Sequence, residues 1–319
     1  MGHVNNTQSV AELGEFALIA QIAQRLDSGP NPKIIVGLGD DSAVTAVSTK
    51  PAISCVDVLV QGVHFRTDWS SAHEIGRKSV AANLADIFAM GGSPESLLVG
   101  LAVPADTKVA WVLELAEGIK AEADLVGAAV IGGDVVRSDQ IVISITALGS
   151  LAAPQPITRS GAKADDVLAI AGRLGYAQAG LMMLSRGFRS PRAIVSAHRV
   201  PEPPYELVQL AHKAHAMIDV SDGLISDVAH IAKASNVQID IDSSKLVVTE
   251  ELQAMASAFN GDALQWVLNG GEDHAFAATF ANSAQVPPGW LIIGKASSGE
   301  PGVTVNGQVV VASGWDHFK

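Results

Sequence analysis

The sequence predicts an α/β (α+β) fold made of two mixed α/β domains. The chain has 319 residues, which is long for one hydrophobic core. Segments in which apolar residues recur at helical spacing alternate with short apolar runs typical of strands. Near Leu151-Ala-Ala-Pro-Gln-Pro156 the composition changes to small residues and prolines, as it often does between domains. We therefore place one domain at residues 1–150 and a second at residues 151–319.

The first domain begins with an amphipathic helix and continues with alternating strands and helices. Apolar residues recur at helical spacing from Leu13 to Leu26, and Ser71 with Glu74 forms a capping-box pattern at the start of another helix. On that second helix Asn83 and Asp86 are three residues apart and share one face. The other predicted elements are strands at 33–38, 52–60, 96–103, 128–131 and 141–148 and a helix at 106–124.

The second domain contains an acidic junction between a strand and a helix. An apolar run from 216 ends at Asp219, and a helical pattern begins at Leu224. Ser221 or Asp222 is placed to cap that helix. Asn306-Gly307 lies at the centre of an apolar run from 303 to 311 and is a strong hairpin signal. The remaining predicted elements are strands at 166–171, 237–241, 275–280 and 290–294 and helices at 177–185, 207–215 and 249–259.

Composition and charge exclude several classes of function. Thirty-three acidic residues against 21 basic ones give a net charge of −12, which repels nucleic acid and anionic lipid. No apolar run reaches the roughly 18 residues of a membrane span, and the first residues lack the pattern of a secretion signal. The single cysteine, Cys55, is typical of a reducing compartment. We expect a cytoplasmic protein that binds neither nucleic acid nor membrane.

Acidic residues recur at the ends of predicted strands, usually beside glycine, and one of them, Asp57, lies within a strand. They are Asp40, Asp41, Asp57, Asp134, Asp219, Asp222, Glu272 and Asp273. Any one such residue is most often a turn or a helix cap, but loops at strand ends are also where α/β proteins bind ligands. Several carboxylates together need a cation to offset their repulsion, and hard oxygen donors without histidine or cysteine favour Mg²⁺ over zinc. The pattern predicts a protein that binds several Mg²⁺ ions.

Several magnesium ions beside few basic side chains indicate a phosphate-rich ligand, because the metal ions must bridge carboxylates and phosphates. A predicted turn at Gly132-Gly133-Asp134 lets backbone amides approach phosphate closely. Arg159 is either a phosphate contact or an ordinary surface arginine, and His64 either faces a ligand from a loop or packs in the core. Trp315, a large aromatic in a polar segment, must pack against protein or ligand. The sequence has no P-loop motif and no protein-kinase His-Arg-Asp set, so a nucleotide is held by other means.

These motifs together resemble the thiamine-monophosphate kinase family. The matching stretches are Gly39-Asp-Asp-Ser-Ala-Val44, Asp57-Val-Leu-Val-Gln-Gly-Val-His-Phe65, Asn83-Leu-Ala-Asp-Ile-Phe-Ala-Met-Gly91, Gly132-Gly-Asp134, Thr158-Arg-Ser-Gly161, Asp219-Val-Ser-Asp-Gly-Leu224, Gly270-Gly-Glu-Asp273 and Trp315-Asp-His-Phe318. The Gly-Asp-Asp and Ser-Asp-Gly-Leu stretches are shared with the wider aminoimidazole-ribonucleotide synthetase superfamily. The loop with His64 and the segment with Trp315 favour thiamine-monophosphate kinase within that superfamily.

The resemblance implies phosphorylation of thiamine monophosphate to thiamine diphosphate, with ATP as co-substrate and several Mg²⁺ ions, in a homodimer. The N-terminal domain is expected to bind Mg²⁺ and ATP and to join its sheet to the partner's in a barrel, while the C-terminal domain completes the active site. By motif position, the implied Mg²⁺ ligands are Asp41, Asp57, Asp86, Asp134, Asp219 and Asp222, with the main-chain carbonyl of Val56. The implied ATP contacts are Gly133, Asp134, Arg159 and Ser221, and the implied thiamine monophosphate contacts are His64, Glu272 and Trp315. No residue is assigned as a general base, because the acceptor phosphate is already anionic.

The sequence departs from the family pattern at two places. Cys55 and Val56 stand where the family has hydroxyl residues before the strand aspartate, and Val135 stands where it favours threonine. We expect weaker binding of one metal ion at the first place and the loss of a supporting hydrogen bond at the second.

Four other functions are weighed against this one. Selenophosphate synthetase and the ATP-using hydrogenase-maturation protein belong to the same superfamily. However, the first normally has a reactive cysteine or selenocysteine near its N-terminus and the second ends in a cysteine, and this sequence has neither feature. A module that binds Mg-nucleotide or a thiamine phosphate without catalysis belongs to a different class. A metal-dependent phosphohydrolase would release phosphate instead of transferring it.

Overall fold

The computed structural model describes residues 7–27, 29–37, 43–46, 49–151 and 153–310. The chain divides into two compact units. We call residues 1–87 with 92–154 the N-terminal unit, and residues 88–91 with 155–319 the C-terminal unit. The later boundary, between Pro154 and Gln155, falls within the stretch where the sequence composition changes. Within the described ranges, none of the helices is long and apolar enough to cross a lipid bilayer.

The N-terminal unit is built on a β-sheet with helices packed against it. Its elements are α1 (Val10–Leu13), α2 (Glu15–Leu26), β1 (Ile34–Val36), β2 (Val44–Thr45), β3 (Ala52–Val60), α3 (Ala72–Ala89, of which the last two residues belong to the C-terminal unit), β4 (Gly92–Val103), α4 (Val109–Asp124), β5 (Ala129–Arg137) and β6 (Val142–Leu151). Among the described residues, four strands form one sheet in the order β3-β6-β4-β5, and only the β4–β5 pair is parallel. β3 and β5 are therefore the edges of this sheet.

The start of α3 confirms the predicted capping box. Ser71 Oγ accepts the Glu74 N–H at 3.2 Å, and a Glu74 carboxylate oxygen accepts the Ser71 N–H at 2.8 Å. This reciprocal pair satisfies two backbone donors at the helix start. It anchors the helix that carries Asn83 and Asp86.

Two glycines let α3 and α4 touch backbone to backbone. A Cβ atom on Gly76 would overlap the Leu115 carbonyl oxygen of α4, and one on Gly118 would overlap the His73 carbonyl oxygen of α3. Glycine inside a helix costs about 1 kcal/mol relative to alanine, because the unfolded glycine has more conformational freedom to lose. The close packing of the two helices must outweigh that cost, since any larger residue would push them apart.

We expect Gly118→Ala to lower the free energy of unfolding by about 3 kcal/mol, despite the better helix propensity of alanine, because the new methyl group overlaps backbone atoms that cannot rotate away. Urea denaturation followed by circular dichroism measures the change. Gly100→Ala is the matched control: its Cβ would lie 3.5 Å from the nearest atom, on Ser144, which is an ordinary contact. Equal stabilities for the Gly118 variant and the wild type would show that α3 and α4 can separate without cost.

The predicted turn at Gly132-Gly133-Asp134 is wrong, because these residues lie inside β5. Gly133 pairs with Val99 and Asp134 with Gly100 in the parallel ladder with β4. A Cβ atom on Gly133 would overlap the Val99 carbonyl oxygen. Glycine is thus required by the close approach of two strands, a use of glycine that local sequence does not distinguish from a turn.

The C-terminal unit contains a larger sheet. Its elements are β7 (Val167–Ala171), α5 (Tyr176–Ser185), α6 (Arg192–Arg199), α7 (Tyr205–Val208), β8 (Ala216–Val220), α8 (Leu224–Ser235), β9 (Gln238–Ile241), α9 (Glu250–Ala258), α10 (Ala263–Asn269), β10 (Ala275–Phe280), β11 (Leu291–Ser297), β12 (Gly302–Val305) and β13 (Gln308–Val309). In the part of the chain that is described, seven strands follow the order β13-β12-β9-β11-β7-β10-β8, and only β9 and β12 pair in parallel. β10, between β7 and β8, is buried along its whole length and supplies Phe276 and Phe280 to the core.

The predicted helix at 207–215 is wrong beyond residue 208. A short helix, α7, is followed by turns that lead to β8. His215 is held at the sheet, since its N–H donates to the Thr279 carbonyl oxygen at 2.8 Å and its Nδ1 lies 2.9 Å from an Asp166 carboxylate oxygen. These tertiary contacts override the helical spacing of the local sequence. Two further helices, α6 and α10, were not predicted.

The predicted hairpin at Asn306-Gly307 is confirmed. Asn306 and Gly307 have φ values of 52° and 75°, and they connect the antiparallel strands β12 and β13. Positive φ at both central residues is the requirement of a type I′ turn, which Asn-Gly meets at low cost. The Asn306 Oδ1 also accepts the Ser243 N–H at 3.0 Å, which fixes the turn against a neighbouring segment.

Candidate active site

In the N-terminal unit, the predicted metal ligands Asp57 and Asp86 both raise the pKa of the Cys55 thiol. Asp57 lies on β3, Asp86 lies on α3, and both are half-buried. Burial raises the pKa of the Cys55 thiol, and the negative charges of Asp86 and Asp57 raise it further. Both carboxylates therefore lie close enough to Cys55 to disfavour the thiolate form of its side chain.

Asn83 joins α3 to β3 beside these carboxylates. It is fully buried; its Oδ1 accepts the Asp57 N–H at 3.1 Å, and its Nδ2 donates to the Ser79 carbonyl oxygen at 3.0 Å. The Cys55 thiol donates to the Asn83 carbonyl oxygen at 3.3 Å. Because β3 is a sheet edge, Asn83 takes up an N–H that has no neighbouring strand on that side. It thereby fixes the backbone that carries Asp57.

The donor chemistry of this cluster fits Mg²⁺. Asp57 and Asp86 offer hard carboxylate oxygens, which are the ligands that Mg²⁺ prefers. Among the described residues, no group of three or more His, Cys, Asp or Glu side chains is arranged to hold a metal ion. Mg²⁺ does not require such a group, because it commonly keeps several waters and binds through one or two carboxylates.

His64 lies on the loop that follows β3. It is half-buried, and its Nδ1 accepts the Val60 N–H at 3.0 Å. Its carbonyl oxygen accepts a hydrogen bond from Lys78 Nζ on α3 at 3.0 Å. The core-packing interpretation of His64 is therefore wrong, because the residue is half-buried on a loop and its ring accepts a backbone hydrogen bond.

Gly133 and Asp134 lie apart from Asp57 in the sheet. Both are exposed on β5, and β6 and β4 lie between that strand and β3. The Asp134 Oδ1 accepts the Val135 N–H at 2.9 Å. The sheet of a single chain therefore places these predicted ligands at its opposite edges.

In the C-terminal unit, Asp219 is the next-to-last residue of β8 and pairs with a histidine. Asp219 is 4% exposed, and one of its carboxylate oxygens lies 3.1 Å from His274 Nδ1. The His274 N–H donates to the Val220 carbonyl oxygen at 3.0 Å, and His274 adopts a φ of 49°. This unusual backbone conformation brings the ring to the carboxylate, so that Asp219 has a fixed orientation.

The cap of α8 differs from the prediction. Gly223 occupies the N-cap position, where Ser221 or Asp222 was expected. Asp227, one turn into the helix, accepts the Asp222 N–H at 3.0 Å and the Gly223 N–H at 3.1 Å. Burial raises the pKa of Asp227 to about 7, and the charges of Asp219 and Asp222 contribute to the rise. The backbone of the acidic junction is therefore held by a buried carboxyl group from the first turn of α8.

The loop with Glu272 packs against the turn that follows β8. The Glu272 N–H donates to the Ser221 carbonyl oxygen at 2.7 Å, and a Cβ atom on Gly271 would lie only 2.6 Å from that same oxygen. Glu272 adopts a φ of 65°, and its carboxylate lies 3.5 Å from His198 Nδ1. The structure thus makes neighbours of Ser221, a predicted ATP contact, and Glu272, a predicted substrate contact.

Asp273 ties this loop to the start of α5. Its carboxylate accepts the Gly175 N–H at 2.5 Å and the Ala177 N–H at 2.8 Å. Burial raises the pKa of Asp273 to about 7, although these two hydrogen bonds favour the ionised form. The residue beside Glu272 is therefore a structural anchor.

Arg159 is exposed on a segment that is fixed beside β8. Its carbonyl oxygen accepts the Ser235 hydroxyl at 2.8 Å, and the same hydroxyl oxygen accepts the Ala162 N–H at 3.1 Å. A Cβ atom on Gly161 would overlap the His215 carbonyl oxygen. The backbone is thus determined on both sides of Arg159, while its guanidinium group faces outward.

Several predicted site residues cannot be placed. Asp40, Asp41 and Trp315 lie outside the described residues, so their predicted roles stay predictions.

Sequence reasoning assigned no supporting role to the residues that hold the site in place. Each of them forms a hydrogen bond to a site residue that is distant in sequence. Asn83 bonds to Asp57, Lys78 to His64 and His274 to Asp219. A polar or charged residue inside an otherwise apolar helical segment was the available signal for Lys78 and Asn83. No local pattern marked His274.

Two family models match consecutive parts of the chain. The AIR synthase related protein N-terminal domain matches residues 39–151, and the corresponding C-terminal domain matches residues 163–306. Both cover the segments that carry the acidic clusters described above.

Full-length relatives narrow the family. Thiamine-monophosphate kinase of Mycobacterium tuberculosis is 40% identical over 97% of this chain and 93% of its own length. Thiamine-monophosphate kinase of Aquifex aeolicus is 33% identical over 96% of this chain and 99% of its own. A solved structure named AaThiL complexed with AMPPCP and TMP shares 32% identity and a TM-score of 0.80, covering 98% of this chain and 99% of that one. The chain belongs to the thiamine-monophosphate kinase family.

Proposed function

We propose that this protein transfers the γ-phosphoryl group of ATP to the phosphate of thiamine monophosphate, giving ADP and thiamine diphosphate. The observation that carries the proposal is the likeness, across 98% of the chain, to a structure named as a complex with AMPPCP and TMP. AMPPCP is a methylene analogue of ATP, so that complex pairs a nucleotide with the phosphate acceptor. We expect the reaction to take place in the cytoplasm, where ATP and Mg²⁺ are abundant and a lone cysteine stays reduced.

The acidic clusters would hold the metal ions that this reaction needs. Asp57 and Asp86 with the Val56 carbonyl oxygen would serve in the N-terminal unit, and Asp219 and Asp222 in the C-terminal unit. Asp41 and Asp134 complete the proposed set. Bound Mg²⁺ would neutralise the charge that develops on the phosphoryl oxygens.

The protein's own residues would bind and orient the two substrates. Arg159, with its fixed backbone and exposed guanidinium group, suits an ATP phosphate. Gly133, Asp134 and Ser221 are the other proposed ATP contacts. The adjacency of Ser221 and Glu272 would bring nucleotide and acceptor together, and His64 and Trp315 would add contacts to thiamine monophosphate. Because the attacking oxygen is already anionic, no side chain has to remove a proton, and positioning supplies the catalysis.

We also propose that the protein works as a homodimer in which the N-terminal sheets of two chains join into a barrel. β3 and β5 are the edges of the described sheet. They expose apolar side chains, with Val56 58% exposed, Val58 47% and Val136 50%. An edge strand with exposed apolar residues is a ready surface for pairing with another strand.

The test is an assay with purified protein, ATP, Mg²⁺ and thiamine monophosphate. We expect one ADP and one thiamine diphosphate per turnover, and loss of activity when EDTA removes the metal. ADP with free phosphate but no thiamine diphosphate would indicate a phosphohydrolase, and binding without any product would indicate a non-catalytic module. Light scattering on the same preparation should give twice the 33.0 kDa chain mass, and a mass of one chain would overturn the dimer.

A further inference from the structure

We propose that Lys78 is a positioning residue for thiamine monophosphate, because it fixes the loop on which His64 presents an Nε2–H donor. The proposal rests on the proposed function, in which His64 contacts this substrate. It adds a residue on α3 that acts through the backbone, and it specifies which ring nitrogen of His64 carries the proton.

The loop at 61–65 is closed by its own backbone. The Val60 carbonyl oxygen accepts the N–H groups of Val63 at 3.1 Å and His64 at 3.0 Å, and the Gly62 N–H donates to the Phe65 carbonyl oxygen at 2.8 Å. Phe65 is buried, which anchors the end of the loop in the core. The His64 ring therefore starts from a backbone with little freedom.

The hydrogen bond from Val60 to His64 determines the tautomer. A backbone N–H can only donate, so His64 Nδ1, 3.0 Å away, must accept with its lone pair. In a neutral imidazole the proton is then on Nε2. An Nε2–H group is a donor, and the acceptors that thiamine monophosphate offers in greatest number are its phosphate oxygens.

Lys78 secures the remaining part of this geometry. Lys78 is 5% exposed, and its Nζ donates to the His64 carbonyl oxygen at 3.0 Å. Burying an ammonium group is costly unless it is hydrogen-bonded, and its neighbours Ile75 and Ala81 on α3 are fully buried and apolar. The His64 carbonyl oxygen is one of the groups that stabilise this buried ammonium, and it belongs to the residue that we propose contacts the substrate.

The direct test is the steady-state kinetics of Lys78→Met, which keeps the length of the side chain and removes its charge and donors. We expect KM for thiamine monophosphate to rise about tenfold, with KM for ATP within twofold and kcat within threefold of the wild type. Lys78→Arg, which restores a donor, should recover part of the loss. Lys108→Met, at an exposed lysine of the same unit, is the matched control and should match the wild type. An unchanged KM for thiamine monophosphate, or equal rises for both substrates, would overturn the proposal.

Two measurements keep the proposal testable if Lys78→Met does not fold. Long-range ¹H–¹⁵N spectra of histidine-labelled wild type report the tautomer directly, and a proton on Nδ1 of His64 would contradict it. His64→Gln can place an amide donor near the Nε2 position, whereas the amide of His64→Asn lies near Nδ1. We expect KM for thiamine monophosphate to be at least tenfold higher in His64→Asn than in His64→Gln. A higher KM in His64→Gln would also contradict the proposal. A wild type that makes no thiamine diphosphate would refute the proposed function itself, and the spectra do not depend on that result.

Discussion

Asp219→Asn is expected to lower kcat by about 1,000-fold while the protein stays folded. Asparagine has the shape of aspartate and can still hydrogen-bond His274, which lies 3.1 Å from the Asp219 carboxylate. The substitution therefore removes mainly one negative charge from the end of β8. If that charge binds Mg²⁺ on the phosphates, its loss weakens charge neutralisation in the transition state, and losses of this kind are typically 100- to 1,000-fold or more.

Steady-state kinetics over a range of Mg²⁺ concentrations measures this effect. A variant that has lost a metal ligand should recover some activity at high Mg²⁺, while its circular dichroism spectrum stays that of the wild type. Asp165→Asn makes the same chemical change at an exposed residue that pairs with Lys295, and it should keep wild-type kcat. A kcat for Asp219→Asn within tenfold of the wild type would remove Asp219 from the set of metal ligands.

The second large effect is a pH dependence of stability that comes from Asp273. Burial raises its pKa from 3.8 to about 7 in the folded protein. Between these pH values the folded state binds more protons than the unfolded state, so the contribution of Asp273 to stability is greatest below pH 3.8 and is lost as the pH rises towards 7. The shift corresponds to a loss on the order of 4 kcal/mol. Asp273→Asn has no such titration.

We therefore expect the free energy of unfolding of the wild type, relative to Asp273→Asn, to fall as the pH rises from 4 to 7. Urea denaturation at several pH values measures the difference. Asp165→Asn provides a control of opposite sign, because the hydrogen bond from Lys295 lowers the pKa of Asp165. The contribution of Asp165 to stability is present above the unfolded pKa and is lost only as the pH falls below that value. The difference in free energy of unfolding between the wild type and Asp165→Asn should therefore be constant from pH 5 to 7. A constant difference for Asp273→Asn over the same range would show that its carboxyl group stays ionised when buried.

Sequence patterns predicted best the structures that form between near neighbours in the chain. The capping box of Ser71 and Glu74 joins residues three apart, and the Asn306-Gly307 turn depends on its own two φ angles. The role of Gly133 was misread because the atom that requires glycine there, the Val99 carbonyl oxygen, belongs to β4. The segment at 207–215 has helical spacing, but its end is held by Thr279 and Asp166.

The candidate site divides in the same way. Aspartates beside glycine at strand ends were visible in the sequence, and a family resemblance gave them roles. Their supports were not visible, because Asn83 reaches Asp57 and Lys78 reaches His64 only after α3 has packed beside β3. The cap of α8 was misplaced for a related reason: Asp227 reaches back from within the helix to two N–H groups ahead of it.

The backbone contact between α3 and α4 at Gly76 and Gly118 fixes the position of α3 along and around its own axis. At this contact the helices meet without a layer of adaptable side chains that could absorb a slide or rotation. Lys78, Asn83 and Asp86 therefore keep fixed intervals along one rigid axis, and Lys78 and Asp86 are separated by about 12 Å of helix rise. The loop of His64 and the backbone of Asp57 are therefore both held by residues of α3, the helix that also carries Asp86. A change in the distance between the His64 loop and Asp57 would therefore require a change in α3 as a whole.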